Sequence, residues 1–481
     1  MVCDSTRARP GDGSVRLDRA AWAALLTLCG ALFLDALDVS MVGVALPSIR
    51  EDLGMSTASL QWVVSAYVLG YGGFLLLGGR AADLLGRRRV FLISLVVFAV
   101  ASLFGGLVDD GALLIATRFV KGVSAAFTAP AGLSIITTSF PQGPVRNKAL
   151  AVYTATGAVG FSLGLVVGGL LTEIGWRWVF LLPVPVALVI LAAAIRFVPD
   201  SGRPEPGRRS VDLAGATTIT AGMLLLVYSV VEAPAAGWAS LRTLAGFAGA
   251  AGLIALFVWI ERRTAEPLVR LGIFRSSALV RANLGAMALF GSWVGFQFIA
   301  TLYLQNLRGW SPLETGLAIF PAGAIVAIIA PRMGSVVARV GVVKPIAAGL
   351  ASIALGYALF LPIGLDSAYA AALLPTMLLA GLGFALAFGP LNMAATNGID
   401  AHEQGLAGGL VNTSFQFGGA AVLAVVTAVA NAAGAESGSP GAVMDGYRAA
   451  VVVSLVVALL GLTATLARRR APRTVPELVE G

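Results

Sequence analysis

Residues 79–90 read GRAADLLGRRRV, bracketed by two apolar runs, YVLGYGGFLLLG at 67–78 and FLISLVVFAVASLFGG at 91–106. One aspartate and four arginines thus fill a short break between two hydrophobic segments. The composition of the whole chain explains the setting. Of 481 residues 58% are hydrophobic and only 12% are charged, about half the charged share of soluble proteins. No soluble core hides that much apolar surface, so the solvent is lipid. Runs of about 20 apolar residues recur along the chain, each long enough to cross a bilayer as a helix. Strands of a membrane barrel alternate polar and apolar residues over about 10 positions. The runs here are uninterrupted and rich in Gly, Ala and Leu, so the fold class is an all-α membrane protein.

Fourteen spans are expected, at 21–47, 59–78, 90–108, 112–137, 149–172, 177–197, 212–232, 241–260, 281–305, 314–337, 344–364, 369–395, 404–430 and 447–467. An even count puts both termini on one side. Of 33 Lys and Arg residues, 25 fall in the tails and the connections on the same side as the tails, and 5 on the opposite side: Arg50, Arg177, Arg242, Arg308 and Arg448. Arg118, Lys121 and Arg332 lie within spans. Positive loops stay in the cytoplasm, so both termini are expected there, and the net charge of +8 reflects topology. Nucleic acid is not an expected partner, because no loop is large enough to form a basic domain. The first run is too long for a signal-peptide core and is read as a retained span. Cys3, in the polar tail, and Cys29, in the first run, are not expected to pair, and the single histidine, His402, cannot make a metal site alone.

The chain repeats itself. The second span ends in Gly79-RAA-Asp83-LL-Gly86-Arg87 and the tenth in Gly334-SVV-Ala338-RV-Gly341, with the glycines at one spacing. Both fall on the connection between the second and third spans of a six-span block. The domains are therefore a tail at 1–20 and a six-helix bundle at 21–199. A linker with two inserted helices follows at 200–278, then a second bundle at 279–467 and a tail at 468–481. Transporters are commonly built from such repeats, with the substrate near the bilayer midplane between them.

In the opening stretch, Gly79 and Gly86 permit close helix approach and a tight turn. Asp83 is placed to cap a neighbouring helix or pair with an arginine. Arg87, Arg88 and Arg89 sit at headgroup level, where they either latch the two halves or simply anchor the chain; on composition alone the anchor is the stronger reading. The stretch resembles the signature loop of the major facilitator superfamily, G-x-x-x-D-x-x-G-R-[RK]-[RK]. Three more segments resemble its fourteen-helix drug:proton antiporter branch: LDALDVSMVGVALP at 34–47, TRFVKGVSAA at 117–126 and GAVGFSLGLVVGGLL at 157–171, the last followed by WRWVF at 176–180. Two positions depart from the branch pattern: Lys121 stands where Gln is usual, and Leu165 where Pro is usual. The resemblance implies that Gly160, Gly164, Gly168 and Gly169 form a close helix crossing that limits leakage. It also implies a part for Asp38 in proton coupling.

Asp35 and Asp38 share one face of the first helix. A charge inside a span costs about 2.5–3.5 kcal/mol on insertion scales, so each needs a partner or a task. At ~1.5 Å per residue, Asp38 lies about 12 Å below Leu46 and Arg118 about 10 Å below Gly111. Equal depth predicts that the two meet or share a water network. Low dielectric holds a carboxyl proton and a nearby guanidinium loosens it. An arginine that moves relative to Asp38 would alternately capture and release a proton, and a cationic substrate would compete for the same carboxylate. A static ion pair fixing helix register is the plainer alternative. Lys121, one turn from Arg118, either joins this group or snorkels. Glu232 closes its span at the outer interface and is read as solvated, without a role. Tyr67, Tyr71, Trp293, Gln297, Asn392, Asn412 and Gln416 are candidates for a cavity wall or, individually, for interhelical hydrogen bonds.

Such a cavity, mostly apolar with aromatics and few carboxylates, suits bulky amphipathic or cationic molecules. The expected function is proton-driven export of such a compound by a monomer in a bacterial cytoplasmic membrane. The coupling ion is the proton, and no cofactor is expected. No phosphate-binding GxxxxGK[ST] loop and no nucleophile triad is present, which argues against an ATP-driven pump and against an enzyme. A dedicated exporter of one metabolite, a facilitator or importer, and a ligand-binding membrane sensor are the alternatives.

Overall fold

A computed structural model describes residues 19–140, 144–199, 212–264, 267, 269–399, 404–435, 437 and 439–467, and every regular element among them is helical. The helices are α1 Arg19–Leu53, α2 Thr57–Leu85, α3 Arg87–Leu107, α4 Gly111–Ser139, α5 Pro144–Ile174, α6 Trp178–Leu181, α7 Pro183–Phe197, α8 Leu213–Ala236, α9 Leu241–Glu261, α10 Ser277–Leu302, α11 Pro312–Ile329, α12 Met333–Val340, α13 Val343–Phe360, α14 Leu373–Thr396, α15 Gln404–Ala432 and α16 Pro440–Leu466. Thirteen segments of the described residues are long and apolar enough to cross a membrane, with α6–α7 and α11–α12 each counting as one. Helix α2, of 29 residues, adds a further segment of sufficient length.

Helix ends follow local chemistry. Ser56 caps α2 through the Ser59 N–H, Asp110 caps α4 through the Leu113 N–H, and Ser311 with Glu314 forms a reciprocal capping box on α11. Five boundaries correct the sequence reading. The opening stretch is not a loop: α2 runs on through Leu85, α3 starts at Arg87, and Gly86 alone, at φ +94°, turns the chain. Hydropathy drops at residue 79, but Ala, Leu and Arg continue a helix readily. In the second motif Gly341, at φ +77°, likewise ends α12. The sixth span breaks between α6 and α7 at Leu182, before Pro183, which has no N–H to donate. The tenth span is interrupted by a tight turn at Ala330–Arg332 around Pro331. The twelfth begins at Leu373, after a run of turns from Leu361.

One packing scheme occurs twice. Helix α1 packs on α5 and α7, α2 on α4, and α3 on α4 and α7. In the later helices α10 packs on α15 and α16, α11 on α14, and α13 on α14 and α16. Counted by span, each pair in the first six has its counterpart in the last six. The two sets meet along α5 with α11 and α2 with α15, and α8 lies against α2 and α15 with α9 behind it.

Small residues set the closest crossings. A Cβ at Gly160, Gly164 or Gly168 would lie 2.5 Å from the Phe33 oxygen, 2.6 Å from the Leu37 oxygen or 2.6 Å from the Met41 Cα, so α5 rests backbone to backbone on α1. One residue round the helix, a Cβ at Gly169 would lie 2.7 Å from the Leu313 Cα of α11.

Candidate functional site

Four charged side chains converge inside the first six spans. Asp38 on α1 is 0% exposed, and Arg118 and Lys121 on α4 are 2% and 0% exposed. Arg118 Nη1 donates to Asp38 Oδ2 at 2.7 Å and its Nε to the Val63 carbonyl of α2 at 3.0 Å. Lys121 Nζ donates to Asp38 Oδ1 and, at 2.8 Å, to Ser102 Oγ of α3, which in turn donates to the Phe180 carbonyl of α6 at 2.9 Å. The Arg118 guanidinium lies 4.6 Å from the Tyr67 ring centre, and Lys121 Nζ 4.6 Å from that of Phe98. Asp38 and Arg118 therefore meet, as their depths implied.

Lys121 closes the other side of Asp38. The sequence left its direction open; the structure turns it inward, because ten residues inside α4 its stem cannot reach either water face. The signal was its i, i+3 spacing from Arg118, which puts both cations on one helix face. Burying charges is costly unless each is paired and hydrogen-bonded, and here both carboxylate oxygens are engaged.

Asp35 is treated differently. It stays partly exposed and accepts the Tyr67 hydroxyl on Oδ1. Tyr67 is itself 2% exposed and meets Tyr71 edge-on at 6.1 Å. Tyr67 is thus part of the charged cluster, not of an open wall.

The other candidates scatter. Gly79 makes no close helix approach, since a Cβ there would first meet Pro130 Cβ at 3.9 Å, and the contact falls on the neighbouring Gly78 instead, which faces the Ala126 backbone; Gly86 makes the turn already described. Arg88 Nη2 donates to the Ile195 carbonyl at 2.6 Å, tying the start of α3 to the end of α7. Arg87 is half-buried at the start of α3, and the Asp83 side chain lies outside the described residues, as does His402. Trp293 is buried at 5% exposure against Phe161 and Phe384, with ring centres at 6.3 and 5.9 Å. Phe384 stacks on Phe388 and Phe388 on Phe415, an aromatic column the sequence reading missed although its i, i+4 spacing was visible. Gln297 lies beside Gly43, and Gln416 beside Gly72. Asn392 and Asn412 spend an N–H on their own helices, at the carbonyls of Phe388 (2.9 Å) and Gly408 (2.8 Å). Glu232 is not merely solvated: its Oε1 accepts from Trp62 Nε1 at 3.0 Å and its Oε2 lies 3.4 Å from Arg242, which docks α8 on α2 and α9.

Leu165, at the branch's proline position, is fully buried. Its carbonyl receives Gly316 of α11, and Ser162 receives Gly323. Helix α5 thus carries two close faces, one for α1 and one for α11. At the far end of α1, Arg177 bridges Asp52 at 2.8 Å and Asp109 at 2.5 Å, while Trp176 Nε1 donates to Asp52 at 2.9 Å. The WRWVF segment therefore ties α1, the end of α3 and α6 together.

Comparison with known proteins supplies the wider context. The profile described as Major Facilitator Superfamily matches residues 28–423. The cephamycin export protein CmcT of Amycolatopsis lactamdurans is 38% identical over 488 residues, covering 98% of both chains. The puromycin resistance protein pur8 of Streptomyces alboniger is 36% identical, over 94% of this chain and 91% of that one. Among solved structures, the nucleoside transporter NupG aligns with a TM-score of 0.66 at 13% identity, over 92% of this chain and 99% of that one. The POT family transporter PepTSo aligns with a TM-score of 0.66 at 17% identity, over 92% and 99%. At such identities the structures establish the shared fold.

Proposed function

Because this chain belongs to the major facilitator superfamily, and is a multi-pass membrane transporter and not an enzyme, we propose that it exports amphipathic or cationic small molecules in exchange for protons. The observation that carries this reading is the ionic cluster at membrane depth, with Asp38 held between Arg118 and Lys121 and the second carboxylate, Asp35, partly open beside it. A carboxylate kept inside a span is costly and commonly marks an ion or substrate pathway. The export direction and the drug-like cargo are carried over from the relatives, which are a cephamycin exporter and a puromycin resistance protein.

Mechanistically, residues 21–199 and 279–467 act as two halves that rock about the α5–α11 and α2–α15 contacts and open the midplane alternately to each side. The glycine crossings of α5 let the backbones slide closely without admitting ions. Asp35, Asp38 and Arg118 couple the movement to protonation. Gly79, Asp83, Gly86, Arg87 and Arg88 form the cytoplasmic gate. The charge count puts both termini in the cytoplasm of a bacterial cell, and the chain works as a monomer without a cofactor.

The test is uptake into inverted vesicles, with and without an imposed pH gradient, against a panel of drugs and dyes. Uptake that follows the gradient supports antiport; uptake that ignores it points to a facilitator. Transport of one compound from the panel and no other identifies a dedicated exporter, a reading that the similarity to a cephamycin exporter favours.

A further inference from the structure

Asp35 and Asp38 lie three residues apart, yet only one of them is free to exchange a ligand. Asp38 is fully enclosed, and each of its oxygens already receives a cationic donor. Nothing can compete for it without dismantling contacts to α2, α3 and α6. Asp35 is partly exposed, is bonded by the Tyr67 hydroxyl on one oxygen, and has no lysine or arginine among the described residues in an ion pair with it. The titratable and charged groups around it are Asp38 from α1, Tyr67 and Tyr71 from α2, Arg118 and Lys121 from α4, and Tyr153 from α5. The ring of Tyr71, partly exposed and edge-on to the enclosed Tyr67, lies near this carboxylate, so that charge and ring quadrupole together attract an organic cation there.

The charge balance of the cluster points the same way. With Asp35 ionised, Asp35 and Asp38 offset Arg118 and Lys121. With a proton on Asp35 the cluster carries one positive charge. A monovalent cation bound to ionised Asp35 leaves that same net charge, so one ligand replaces the other without any change in the buried ion pairs.

We infer that Asp35, not Asp38, is the carboxylate at which a proton and a monovalent organic cation displace each other, and that Asp38 is the fixed anchor of Arg118 and Lys121. The exchange balances simply: the cation enters, the Asp35 carboxyl gives its proton to water, and no other bond changes. The assignment rests on the antiport reading and deepens it by naming the site and the charge class of the cargo.

The test uses the full chain, purified, with tetraphenylphosphonium as a cation that has no proton of its own. Calorimetric titration in buffers of different ionisation enthalpy counts protons released on binding. The unaltered protein should release one proton per cation at low pH and bind more tightly as pH rises. Asp35→Asn should release none and bind at least about tenfold more weakly, whereas Asp35→Glu should keep the release. Proton release that survives in Asp35→Asn, or absence of binding by the unaltered protein, overturns the assignment. So does loss of release in both variants at an unchanged unfolding temperature. If Asp35→Asn does not fold, a membrane-permeant carbodiimide on the unaltered protein decides. Labelling at Asp35 that the cation blocks supports the assignment, and labelling at Asp38 instead overturns it. Gradient-driven uptake by the unaltered protein alongside either overturning result would remove the Asp35 assignment and leave antiport standing.

Discussion

Replacing Gly164 with Ala tests the crossing of α5 on α1. The new methyl would lie 2.6 Å from the Leu37 oxygen and would also strike Ser40 Oγ, which is held by the Ala36 and Leu37 carbonyls at 3.1 and 3.0 Å. Ordinary non-bonded contacts to carbon are about 3.5–4.0 Å, so α1 and α5 must part by about 1 Å. The obstruction is mainly backbone, which a rotamer change cannot relieve. Parting them also opens the contacts at Gly160 and Gly168, where the same two backbones touch. Overpacking of this kind costs about 1–3 kcal/mol. The control is Gly252→Ala in α9, where nothing lies within 4 Å of the added Cβ. There the change should instead stabilise by about 0.4–1 kcal/mol, because alanine has less backbone freedom to lose. Thermal unfolding of the purified variants by intrinsic fluorescence should move in opposite directions. A Gly164→Ala protein that unfolds at or above the temperature of the unaltered chain would refute the backbone-to-backbone crossing.

Lys121→Met should cost about 3–5 kcal/mol in the same assay, since it leaves Asp38 with one partner, and Lys121→Gln, which still donates to Asp38, should cost less. Arg177→Ala should change stability by about 0–1 kcal/mol, because the Arg177 and Asp52 side chains are 35% and 47% exposed and water screens the pair; gradient-driven uptake into vesicles should persist. Trp62→Phe removes the 3.0 Å bond to Glu232 and should speed hydrogen exchange in residues 213–236 while leaving residues 111–139 unchanged.

The crossing segments were legible because lipid demands long apolar runs, and the depth of Asp38 and Arg118 was legible because helical rise is constant. The positions of helix ends were not. Hydropathy reports where lipid stops, and a helix does not stop there, so α2 passes through Ala81 and Ala82 to Leu85 before Gly86 can turn it. Side-chain direction was also hidden. Nothing local tells Lys121 to point inward; Asp38 and Ser102, contributed by two other helices, do that. Glu232 found Trp62 across 170 positions of sequence, a pairing that no periodicity predicts. The two carboxylates of α1 looked alike in sequence, and only the neighbouring helices make one enclosed and the other reachable.

Helices α8 and α9 form a hairpin turned at Gly237, where φ is +92°. Their number constrains how such a chain can grow. One extra crossing between the repeats would invert everything downstream, so that α10 to α16 would face the wrong compartment. Two crossings cancel. Parity therefore restricts additions at this junction to pairs, and a hairpin is the smallest unit that satisfies it. Since α8 rests on both α2 and α15, that unit also walls off one flank of the seam from the surrounding lipid and leaves the α5–α11 flank as it was.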